Sequence, residues 1–142
     1  MKNLTQINIR LGWVLIIGII ITQLTSTIIL FESGGMQVLI AFLIAVLFFP
    51  FFIIAISSVL NRERNLTKIK VGIAIALFFQ VGLPITLTLF FDHEFIYLSL
   101  VGFLFGGIIW YFREKIEIQL LILNGIGAIL WLFVSLGELM NI

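Results

Sequence analysis

Residues 36–91 read MQVLIAFLIAVLFFPFFIIAISSVLNRERNLTKIKVGIAIALFFQVGLPITLTLFF. Two long apolar runs, 36–60 and 69–91, flank a single knot of charge. At about 1.5 Å of rise per residue, each run is long enough as a helix to cross a hydrocarbon layer of about 30 Å. In lipid every backbone N–H and C=O must be paired within the protein, so only helices or closed barrels cross it. The runs are continuous rather than strictly alternating, which selects helices over barrel strands. The charged knot between them then lies in water or at the headgroups, and the two helices form a hairpin around it.

Outward from this hairpin the same pattern repeats. Residues 11–31 form a further apolar run before it, and 95–112 and 118–139 follow it. The expected architecture is therefore an all-α membrane protein: one bundle of five transmembrane helices occupying residues 1–142 as a single domain. The composition agrees, with 62% hydrophobic and 11% charged residues and a mean hydropathy of +1.28. A water-soluble domain carries about a quarter charged residues.

The charges set the expected orientation. All eight Lys and Arg residues fall before the first run, between or just inside the second and third, or between the fourth and fifth. With five crossings these places lie on one side, which by the positive-inside rule is the cytoplasm. The N-terminus is then cytoplasmic and the C-terminus extracytoplasmic. The inner side also carries Glu63, Glu114 and Glu117; the outer carries Glu32, Asp92, Glu94 and Glu138 with His93 and no Lys or Arg. Within the first run apolar character resumes at 28–31 beyond the polar stretch 22–27, which is a poor small-residue cleavage site, so the run is expected to remain as an anchor. A multi-pass protein of a prokaryotic plasma (inner) membrane is the expected setting.

Lipid tails solvate Leu and Ile as well as another helix does, so small and polar residues mark the contact faces. Gly72 and Ala76 open a stripe in the third run that continues through Gln80, Pro84 and Thr88. Gly102-x-x-x-Gly106, followed by Gly107, permits close backbone approach in the fourth. These five small residues are the expected helix-packing positions, serving the bundle itself or a second subunit. Pro84 removes a backbone hydrogen bond near Gln80 and is expected to kink its helix.

Gln23, Gln80, Asn124 and Thr88 are the polar groups expected inside the bilayer. They serve either to hold helices together or to line a polar path through helices 1, 3 and 5. Glu32, Asp92, Glu94 and Glu138 would form an acidic outer mouth to such a path. Three successive residues in one short turn cannot all face one ion, so Asp92-His93-Glu94 is not expected to bind a metal.

Several chemistries are excluded. The chain has no cysteine, hence no disulfide, thiolate or iron–sulfur chemistry. It has no HExxH, Gly-x-Ser-x-Gly, P-loop or dinucleotide fingerprint. A single histidine rules out a bis-histidine haem within one copy. Enzyme activity, a cofactor and nucleic-acid binding are not expected. The lipid bilayer and either a homo-oligomer or a larger membrane protein are the expected partners. The first functional expectation is an accessory or scaffold subunit acting through helix packing; the alternative is a small-solute or ion carrier, or an oligomeric pore.

Overall fold

The computed structural model describes residues 2–33, 35–60, 63, 65–90 and 93–140, and within them all side chains except those of 2, 29–33, 35–43, 95, 98 and 138–140. These described residues form five α-helices: α1 (Lys2–Ser33), α2 (Gly35–Leu60), α3 (Leu66–Phe90), α4 (Ile96–Tyr111) and α5 (Ile116–Met140). A 3₁₀ turn at His93–Phe95 precedes α4, and no strand occurs among the described residues. Segments within α1, α3 and α5 are long and apolar enough to cross a membrane, whereas the apolar described parts of α2 and α4 are shorter.

Helix ends depart from the apolar runs for local reasons. α1 begins at Lys2, well before the apolar run at 11, because polar residues extend a helix into the interfacial layer without cost to its hydrogen bonds. α3 begins at Leu66 behind Asn65, whose Oδ1 accepts from the N–H of Lys68 at 3.3 Å. This is N-capping by a side chain suited to it. α5 opens with Glu117 in its first turn, where the helix dipole favours an acid. Pro50 and Pro84 both lie inside helices rather than ending them.

Helices successive in the chain pack with opposite directions. Gly12 meets Ala55, Ser58 and Val59, while Gln23 lies with Ala45 and Phe48, so contacts advance along α1 as they retreat along α2. The same reversal relates α2 to α3, from Gly72 against Ser57 to Gln80 beside Val46 and Leu47. It also relates α3 to α4. α1 and α5 run parallel: Asn8 meets Glu117 and Thr22 meets Trp131. The core is made by Leu15, Phe48, Phe51, Ile54, Leu120 and Leu123. Phe105 of α4 reaches it and stacks edge-on to Phe51, with centroids 5.2 Å apart and planes at 77°. Otherwise α4 leans on α3 and barely touches α5.

Candidate functional site: a buried polar column between α1, α2 and α5

Several of the buried polar groups line up along one seam. On α5, Glu117, Asn124 and Trp131 recur every seven residues; on α1, Asn8, Leu15 and Thr22 do the same. Seven residues fall about 20° short of two full turns, so each trio stays on one face. Successive levels are about 10 Å apart along the axis.

At the first level Asn8 is fully buried and Glu117 is 8% exposed. Asn8 Nδ2 donates to the Glu117 backbone carbonyl at 2.8 Å and to Glu117 Oε2 at 2.7 Å. At the second level Asn124, also fully buried, donates from Nδ2 to Ser58 Oγ at 2.9 Å. The Ser58 hydroxyl itself donates to the Ile54 carbonyl at 3.0 Å. At the third, Trp131 Nε1 donates to Thr22 Oγ1 at 2.8 Å, with Ser135 Oγ 3.5 Å from the same hydroxyl. Gly18 makes room for the Trp131 indole, since a Cβ there would stand 2.7 Å from it. Two acceptors within this column, Asn8 Oδ1 and Asn124 Oδ1, are buried and have no protein partner.

The residues expected to line a path occupy different interfaces. Asn124 faces Ser58 of α2, as above. Gln23 is half-buried, donates to Thr27 Oγ1 at 3.3 Å on its own helix, and borders an apolar trough between α1 and α2. Gln80 is buried on the α2 side of α3, beside Phe79 and Pro84. Thr88 turns back to the Pro84 carbonyl at 2.8 Å. Phe48 and Phe51, both buried, lie on the intervening helix α2.

The small residues also divide. Gly72 packs on Ser57, Ala76 is buried in the core, and Gly102 receives Val81 of α3. Ser99 strengthens that last contact by donating to the Val81 carbonyl at 3.2 Å. Gly106 and Gly107 face open space. Of the acidic outer residues, Glu94 is exposed in the turn before α4, as is His93. Asp92 and the side chains of Glu32 and Glu138 lie outside the described residues. Among the described residues no group of three or more acidic, His or Cys side chains converges as a metal site would require.

Asn8, Glu117, Ser58 and Gln119 escape a reading based on apolar runs, because they sit near helix ends where polar residues are unremarkable. The signal for Asn8 and Glu117 is the seven-residue spacing of Glu117, Asn124 and Trp131, matched by Asn8 and Thr22; Ser58 and Gln119 belong to no such series.

The fold and this seam define an all-helical bundle with helices able to cross a membrane. No protein-family model, curated protein or solved structure matches the chain.

Proposed function

We propose that this chain crosses a prokaryotic plasma membrane five times, N-terminus in the cytoplasm, and works there as an accessory or scaffold subunit without enzymatic activity. The observation that carries this reading is the way interior polar groups are spent. Asn124, Gln80 and Gln23 lie at separate helix contacts around apolar α2, and Asn8, Asn124 and Trp131 each bond a neighbouring helix. In a medium where Leu gains nothing by leaving lipid, such bonds hold a bundle together at about 0.5–2 kcal/mol each. A subunit built this way offers its partners shape rather than chemistry.

The side open to a partner is α4. It rests on α3 alone for most of its length, and Gly107 is uncovered beside exposed Phe103, Leu104 and Tyr111. The occupant is a larger membrane protein or a second copy. Because the chain lacks cysteine, Gly107→Cys supplies a unique crosslinking point. Crosslinking in native membranes is expected to give a discrete heavier species, and a monomer alone would count against the reading.

The alternative, a carrier or oligomeric pore, draws support from the two buried acceptors without partners, Asn8 Oδ1 and Asn124 Oδ1. Its test is flux into proteoliposomes. Any flux that survives Gln80→Leu combined with Asn124→Leu does not use this path.

A further inference from the structure

A cleft of about 340 Å³ opens where α3, α4 and α5 meet at the end of the bundle that carries Lys70 and Arg113. It exists because α4 stands off from α5 there: Gln119 Nε2 spans the gap to the Ile109 carbonyl at 3.0 Å, and Gly106 contributes no side chain. The body of the cleft is apolar, walled by Ile73, Leu77 and Ile109. Its rim is cationic. Arg113 is fixed in place, with Cζ 4.4 Å from the Trp110 ring centroid and Nη1 donating to the Trp110 carbonyl at 3.1 Å. A guanidinium has five N–H donors, so most of them remain available. Lys70 lines the same cleft from α3. Glu114, in the turn after α4, is exposed and does not line it.

We propose that this cleft holds one anionic phospholipid, its phosphate between Lys70 and Arg113 and an acyl chain along the trough beside Gly106. The charge distribution selects this occupant: two cations without carboxylate partners among the described residues line an apolar slot, at the end of the bundle that the proposed topology sets at the cytoplasmic headgroups. Basic pockets between helices on the cytoplasmic side take anionic headgroups in this manner, and an ordered Arg stacked on Trp loses little entropy in doing so. The proposal rests on the membrane embedding proposed above but not on any protein partner.

The test is competitive binding to purified full-length protein in detergent, read by native mass spectrometry. Phosphatidylglycerol and phosphatidylcholine with identical acyl chains are offered in equal amounts. The wild type is expected to retain one phosphatidylglycerol with a preference of roughly five- to twenty-fivefold, from a contribution of about fivefold per cation. Lys70→Gln with Arg113→Gln should abolish the preference; both side chains are exposed, so the fold is kept. Gly106→Leu, which fills the trough where a Cβ meets nothing, should reduce retention of either lipid. Excess glycerol phosphate, which has no tails, should not displace the bound lipid. Equal retention of both lipids by the wild type, an undiminished preference in the double variant, full retention in Gly106→Leu, or displacement by glycerol phosphate would each overturn the proposal. None of these outcomes depends on whether Gly107→Cys captures a partner, so the two readings fail separately.

Discussion

The amide of Asn8 is spent twice on one residue, on the backbone carbonyl of Glu117 and on its carboxylate. Removing the amide takes one donor from a buried carboxylate, which costs more than removing the charge. Asn8→Ala is therefore expected to destabilise the bundle by about 2–3 kcal/mol, and Glu117→Gln by less, since an amide oxygen still accepts. Thermal unfolding in detergent ranks the two. Asn124 behaves differently. Its Oδ1 lacks a partner, and Ser58 keeps the Ile54 carbonyl whatever replaces the asparagine. Asn124→Val, which removes the orphaned oxygen with far less added volume than leucine would bring, is expected to change stability by less than about 1 kcal/mol in either direction. A large loss in the same unfolding assay would mean that the Ser58 bond matters more than the orphaned oxygen.

At the scale of the helix, glycines separate contact faces from open ones. A Cβ on Gly12 would stand 3.0 Å from the Ala55 carbonyl oxygen and 2.9 Å from Val59, and one on Gly127 would stand 2.8 Å from the Phe51 ring. Backbone and a packed ring cannot step aside, so Gly12→Ala and Gly127→Ala should each cost about 1–3 kcal/mol, read as a lowered unfolding temperature. Gly107→Ala and Gly125→Ala meet nothing and should be neutral or slightly stabilising, since alanine is the better helix former. The helices themselves were legible because each apolar run is as long as a membrane span, and α3 follows its run to within three residues. Which faces meet was only partly legible. Gly72 and Gly102 stand out by size, but their separate partners, Ser57 and Val81, depend on how neighbouring helices are rotated. Asn8 and Glu117 were hidden by their place at helix starts, and only tertiary packing makes them interior.

Over the whole molecule, α2 is the hub. It packs against α1, α3 and α5, and its Phe48, Phe51 and Ile54 fill the centre. The parallel pair α1 and α5 closes one side through the polar column; α4 stands on the other. This layout leaves α4 as the least supported helix, so hydrogen exchange in detergent should be faster across 96–111 than across α1 or α5. Equal protection of α4 would indicate that it packs more tightly than described.

The proposed function requires above all that the helices alternate across the membrane with the basic ends inside. Asn3→Cys, Asn65→Cys, His93→Cys and Glu114→Cys, each the sole cysteine in its chain, report this directly through an impermeant maleimide added to intact cells. Labelling is predicted for His93→Cys alone, the other three reacting only after permeabilisation. If Asn65→Cys and His93→Cys react from the same side, α3 does not cross the membrane and the proposed function is wrong.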